Sequence, residues 1–303
     1  MKKKMSRADR IFNTVNILVL GFIGLTCLYP IIMMTALSFN QGTDTMKGGV
    51  FFWPRSFTWV NYRVMLENVE LRSAYWITIL RTVVGTVSGV FVTGLVAYGL
   101  SEAKLPGRKW IMIYMIIPLF FGGGLIPYYL QLRSLGLINS FWVYIFPGLF
   151  SIYYCVVMKT FFQGIPQSLK ESMRMDGAGE LTILFRVIFP LSSALFAAIA
   201  LFTAVGHWND WFSGAFYVTK GSLIPVQTFL MNFMTFDASQ TYSRDNAQAG
   251  AQALAKMTTE FSTITSTSLR MAAVMVALVP ILLVYPFLQR YFVKGVLIGS
   301  IKE

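Results

Sequence analysis

Six long stretches of the chain carry no Asp, Glu, Lys or Arg: 11–43, 82–101, 110–132, 134–158, 187–209 and 271–289. A helix needs roughly 20 predominantly apolar residues to cross the hydrocarbon layer of a bilayer. Lipid offers no hydrogen-bond partners to a backbone, so each stretch is expected to be a helix. The spans fall near 14–38, 75–99, 110–131, 140–161, 184–207 and 270–290. The expected fold class is therefore all-α, a polytopic membrane protein with a tail at 1–13 and one six-span domain over 14–303. Between the spans lie a charged connection at 162–184 and two longer connections, 39–74 and 208–269, on the opposite side. Segment 223–236 is too short to span and is expected to pack on the membrane surface or on a partner. The Ser/Thr/Ala/Gln-rich stretch 247–268 fits a helix or a loop equally well.

Composition supports the membrane reading. Only 13% of the 303 residues are charged and mean hydropathy is +0.61, whereas a soluble domain carries about 25% charged residues to coat its surface. A soluble enzyme is excluded. Two cysteines and one histidine exclude a disulfide framework and a multi-histidine metal centre, so no metal site is expected. Cys27 and Cys155 are expected to be free thiols in apolar surroundings.

The net charge of +12 follows from topology and does not call for nucleic acid. With the N-terminus in the cytoplasm, 15 of the 25 Lys and Arg fall on cytoplasmic segments, among them Lys104, Lys170, Arg174 and Lys294, although the external segments are longer. That asymmetry places both termini inside. A cleaved signal peptide is the competing reading of the basic start, but the first apolar run exceeds a signal core of roughly 7–15 residues and no small-x-small cleavage pattern follows. Arg81 lies inside the second span, where it either snorkels or faces a cavity.

No Asp or Glu lies within the six runs, although carriers coupled to protons or sodium usually place ionisable groups there. The chain also lacks a phosphate-binding Gly-x-x-x-x-Gly-Lys-Ser/Thr loop. Energy must come from another subunit. A stand-alone secondary carrier or a membrane-embedded enzyme is the alternative, and the single histidine with scattered acids supplies no catalytic cluster for the latter.

The connection at 171–190 reads ESMRMDGAGELTILFRVIFP. It resembles the EAA signature of permease subunits in binding-protein-dependent ABC importers: Glu171, Asp176, Gly177, Ala178 and the closing Pro190 match, while Ser172 and Met173 replace two alanines. The stretches 120–128 (FFGGGLIPY), 208–211 (WNDW), 224–230 (IPVQTFL) and 289–295 (QRYFVKG) resemble the carbohydrate-uptake class, that of the smaller maltose permease and of permeases for oligosaccharides from complex polysaccharides. The resemblance implies a type I ABC importer permease fold with a cytoplasmic coupling helix in a bacterial cell membrane. It implies a second, related permease, two copies of an ATPase that bind the ATP and Mg, an external binding protein and an oligosaccharide substrate. This chain is then expected to bind no cofactor and to have no catalytic residue.

Gly177 suits a left-handed turn after a short helix, and Asp176 can satisfy backbone donors there. Leu169 and Met173, four apart, form an apolar stripe for a groove on the ATPase, with Glu171 and Glu180 pairing to basic residues. The coupling candidates are thus Glu171, Met173, Asp176, Gly177, Ala178 and Glu180. Gly123 and Gly124 interrupt the third span as transporter helices do around substrate, although close helix packing explains glycines equally well. Tyr128, Trp208, Asn209 and Asp210 complete the substrate-pathway candidates, with interface anchoring the competing role of the aromatics.

Overall fold

A computed structural model describes residues 7–235 and 264–300, with side chains as far as Leu283. Twelve helices carry the argument: α1 (Arg7–Ser38), α2 (Val60–Glu67), α3 (Val69–Ser101), α4 (Arg108–Phe120), α5 (Leu125–Ser134), α6 (Ile152–Gln163), α7 (Gln167–Met175), α8 (Glu180–Leu191), α9 (Ser193–Asn209), α10 (Phe212–Tyr217), α11 (Val226–Thr235) and α12 (Ser266–Ser300). Among the described residues no strand forms, and one isolated bridge joins Asn40 to Phe57.

Among the described residues only α1, α3 and α12 are single helices long and apolar enough to cross a membrane. The other three runs are bent pairs: α4 and α5 meet at 118°, the 3₁₀ segment Phe141–Gly148 and α6 at 43°, and α8 and α9 at 84°. Counting each pair as one span gives six. The first break was legible in the glycines at 122–124. The other two correct the expectation of continuous helices, and their causes are local. Pro147 and Gly148 stop the fourth run. In the fifth, a π-helical turn at Leu184–Ile188 precedes Pro190, and the helix restarts after Ser192, since proline removes a ladder donor and such bulges accompany sharp kinks.

The connections also hold more structure than loops. Region 39–74 contains α2 and the start of α3, and 162–184 contains α7 and the start of α8. Within 208–269, α10 and α11 are helical, whereas 247–263 lies outside the described residues.

Contacts divide the chain into two units, Met1–Asn68 with Gly250–Val279, and Val69–Ala249 with Pro280–Glu303. In the first, the apolar length of α1 is not buried by the described residues, and order comes from a polar knot at its end. Asn61 donates to the carbonyls of Ser38 (2.9 Å) and Asn40 (3.0 Å) and accepts from Ser268 (3.1 Å), while Asn40 accepts from the Ser56 amide (2.9 Å). Rings of Phe39, Phe57, Trp59 and Tyr62 pack beside it.

In the second unit α3 is the axis, packing against α6, α9 and α11. Its glycines set the spacing. A Cβ on Gly89 would come within 3.0 Å of the Gly148 carbonyl oxygen, and one on Gly94 within 3.0 Å of the Phe196 ring. Around this face Ala97, Tyr98, Met158, Phe162, Ile188 and Phe196 form one buried cluster, and Ile77, Leu132, Val143, Tyr144 and Tyr217 form a second. Helix α11 buries Val226, Phe229 and Phe233, and Thr78 on α3 accepts from the Val226 amide at 2.8 Å. One face of it therefore packs on its own chain.

Gly89→Val is expected to lower the thermal stability of the purified protein by ~1–3 kcal/mol, the usual cost of overpacking a close contact. At Gly99, also on α3, a Cβ would meet nothing within 4 Å, so Gly99→Val serves as the control. Equal unfolding midpoints for the two variants would contradict the account.

Candidate functional site

Two charged clusters lie at different heights along α3. The first fastens α7, the short helix of the motif region. Just beyond the end of α3, Glu102 accepts from Lys170 Nζ (2.7 Å) on one carboxylate oxygen and from Arg174 Nη2 (3.0 Å) on the other. Arg174 Nε also donates to Glu180 (2.9 Å), whose second oxygen accepts from the Tyr98 hydroxyl (2.6 Å). Lys170 is 3% exposed and lies over the Tyr98 ring. Burial pushes the Glu102 carboxyl up, but the bonds from Lys170 and Arg174 outweigh it and hold it below the ordinary glutamate value of 4.5. Glu180 and then Glu102 raise the Arg174 guanidinium above its usual range.

This arrangement changes the roles expected of individual residues. Glu180 is bonded within the chain through Arg174 and Tyr98, with its side chain still 54% exposed. Met173 and Ala178 pack against the α3 cluster, so Met173 does not form an outward stripe with Leu169. Leu169, Glu171, Met175, Asp176, Gly177 and Glu180 are exposed. Asp176 caps α7, and Gly177 follows at φ +77°, a left-handed turn that glycine adopts without a Cβ penalty.

The second cluster lies where α9 breaks into α10. Arg81 on α3 is fully buried and donates from Nη2 to Asp210 (2.7 Å), and its guanidinium sits 4.6 Å from the centre of the Tyr144 ring. It therefore does not snorkel. Its Nε and Nη1 have no partner among the described residues. Asp210 also accepts from the Ser213 amide at 3.0 Å. A Cβ on Gly85 would collide with the His207 ring, and one on Gly148 would touch it, so the two glycines form the notch that holds His207.

Beside this cluster is a cavity of about 460 Å³ lined by Gly89 and Thr93 of α3, Tyr128 of α5, Tyr144, Thr203 and His207 of α9, Asp210, Ser213 and Tyr217. Of the substrate-pathway candidates, Tyr128 and Asp210 line it. Gly123, Gly124, Trp208 and Asn209 do not: the two glycines are exposed at the 118° bend, with Gly124 at φ +81°, and Trp208 is half-buried with no partner for its indole N–H among the described residues. Sequence reasoning missed Glu102, Lys170, Arg174, Tyr98 and Tyr144. Two signals were available: Lys170 and Arg174 are spaced four apart on one helix, and Glu102 is the first charge after an uncharged run. No group of three or more His, Cys, Asp or Glu suited to a metal occurs among the described residues.

The model of the family described as "Binding-protein-dependent transport system inner membrane component" matches residues 10–298. The chain belongs to this family. Among its relatives, Protein LplC of Bacillus subtilis (strain 168) is 33% identical over 297 residues, covering 98% of this chain and 97% of the relative. The Polygalacturonan/rhamnogalacturonan transport system permease protein YtcP of the same organism is 33% identical, covering 97% and 99%. Among solved structures, a bacterial ABC transporter involved in the import of the acidic polysaccharide alginate has a chain that superposes with a TM-score of 0.84 at 29% identity, covering 96% of this chain and all of that one. The resemblance to importer permeases drawn from the motif residues therefore holds across the whole length, and the fold is the type I permease fold.

Glu102→Ala would leave Lys170 buried without its counter-charge, at a cost of ~3–5 kcal/mol. Hydrogen exchange over 167–183 should accelerate in this variant while the cores of α1 and α12 stay protected; unchanged exchange would remove the network as the fastening of α7. A carboxyl held below its ordinary value stabilises fully above that value and loses its effect as pH falls through the depressed one. In the wild type, protection of 167–175 should thus persist from neutral pH down to about 5 and fall only under stronger acid.

Proposed function

We propose that this chain is one of two related permease subunits in an ATP-driven importer of oligosaccharides, without covalent chemistry of its own. Two ATPase subunits dock against α7 and bind the ATP and Mg, and an external binding protein delivers the sugar to the regions 39–74 and 208–269. Both termini and the 162–184 region face the cytoplasm of a bacterial cell. The observation that carries this reading is α7 itself: a short helix bonded to the end of α3 through Glu102 on one side, with Leu169, Glu171, Met175 and Asp176 exposed on the other. Met175, 88% exposed, and Leu169 supply the apolar part of a helix-in-groove contact. The substrate class is supported by the relatives, since YtcP is named for polygalacturonan and rhamnogalacturonan transport and the superposed structure for alginate import.

In this mechanism the ATPase pair closes on ATP and moves α7. Because α7 is ion-paired to α3 and joined to α8 through Gly177, the movement passes to the helices that surround the cavity, and the permease opens outward. Met173, Ala178 and Glu180 then serve coupling from the inside, by seating α7 on the core, and Glu171 and Asp176 serve it from the outside.

Glu171→Lys reverses an exposed charge on α7, and Gly177→Val forces a β-branched residue into the left-handed region at ~1–2 kcal/mol. Each should cut sugar uptake in vesicles at least tenfold and reduce ATPase co-purification while the chain still inserts. Normal uptake and normal ATPase binding by both variants would reduce α7 to a connector and sink the reading.

The topology has its own check. An impermeant thiol reagent applied to intact cells should label Lys47→Cys, whose native side chain is 74% exposed, and should reach Glu171→Cys only after permeabilisation. The reverse pattern would invert the assignment of faces.

A further inference from the structure

We propose that the cavity beside the α9–α10 break is a binding subsite for one uncharged sugar unit, and that Asp210, preset by Arg81, excludes a carboxylate-bearing unit from it. This rests on the oligosaccharide reading and narrows it to a charge preference at one place in the chain.

The wall defines the ligand. Its one charged lining group is the Asp210 carboxylate, 32% exposed on its side chain. Arg81 fixes one of its oxygens at 2.7 Å and the Ser213 amide fixes the other at 3.0 Å. Each oxygen still has a lone pair to offer, now aimed by two bonds and not by a freely rotating side chain. The balancing cation offers the cavity no hydrogen-bond donor, because Arg81 has no exposed surface and is covered by Asp210 and Tyr144. A ligand therefore meets an oriented acceptor with no accessible counter-charge.

The other lining groups suit hydroxyls and ring faces. Tyr128 and Tyr217 hold their rings 5.9 Å apart in a tilted pair, and Thr203 and His207 stand on the α9 wall. Aromatic faces and oriented polar groups of this kind match a pyranose, apolar on its C–H face and lined with hydroxyl donors. At about 460 Å³ the space is at the small end of ligand sites, which run ~300–1,000 Å³. It suits the end of an oligosaccharide and not an extended chain. A uronate in the same place would set its carboxylate nearer to that of Asp210 than to the covered Arg81 guanidinium, in a half-open cavity where like charges repel more than in bulk water.

The test reads occupancy at the site itself. In the full importer complex in nanodiscs, with Cys27 and Cys155 replaced by alanine, Thr203→Cys reports access by a small uncharged maleimide. Galactotriose and trigalacturonate serve as probes, since they differ in charge and share length and ring type. Galactotriose should slow labelling at least fivefold in the ATP-trapped complex, and trigalacturonate less than twofold. Adding Asp210→Asn should erase the difference between the two sugars; should that variant not fold, adding Tyr128→Ala should instead abolish protection by galactotriose. No protection by either sugar, or equal protection by both in the presence of Asp210, would overturn the subsite. ATP-dependent uptake of the same sugars by the wild-type complex is measured separately, and its complete absence would count against the oligosaccharide reading and not against the charge logic of the cavity.

Discussion

The close approach of α3 to its neighbours is the constraint on which the second unit depends. Where Gly85, Gly89 and Gly94 face the His207 ring, the Gly148 carbonyl and the Phe196 ring, side chains would push the partners apart. Helices in lipid gain little from burying apolar surface against each other, so packing has to come from contact at short range. Small residues on one face of a 33-residue helix supply it. That contact also positions the polar chemistry, because Arg81 and Glu102 stand at different heights on or beside the same helix and bond to elements that the glycines bring within reach.

The two clusters are about 20 residues apart along α3, or ~30 Å at 1.5 Å per residue. One holds α7 and the start of α8, and the other holds the α9–α10 break and the cavity wall. A packed helix that is ion-paired at both levels transmits displacement as a body, since bending it would break contacts on the glycine face. This is a physical route from the surface proposed for the ATPase to the site proposed for sugar. It consists of two discrete attachments and one rigid element, which is what coupling between distant sites requires.

Much of this was legible in the sequence, and the limits have physical causes. Uncharged run length reveals the segments that form three single apolar helices and three bent pairs because lipid excludes charge and unpaired backbone alike, and the turn at Gly177 is legible because residue type and conformation are tied there. The kinks after Pro147 and at Ser192 were not, since apolar length is blind to where a ladder of hydrogen bonds breaks. Orientation around a helix was not legible either. Met173 and Leu169 share a sequence spacing, yet one faces the core and the other is exposed. The pairing of Arg81 with Asp210 spans 129 positions, so only the fold could join a lone cation in one span to the first acid after another.

The placement of irregular backbone follows from the same solvent. Non-helical backbone is tolerated at membrane depth where it lines a cavity or is covered by protein. Residues 147, 148, 150 and 151 at the fourth-run break line the cavity, as do Asp210 and Ser213 at the α9–α10 break. Both breaks are thus accounted for within the chain. The glycines at 122–124 are non-helical and exposed in the isolated chain, with Phe120 and Phe121 beside them about three-quarters exposed. A bare bend of 118° facing hydrocarbon would violate that rule. Its cover has to come from outside the described residues, a place that the second membrane subunit proposed above would fill.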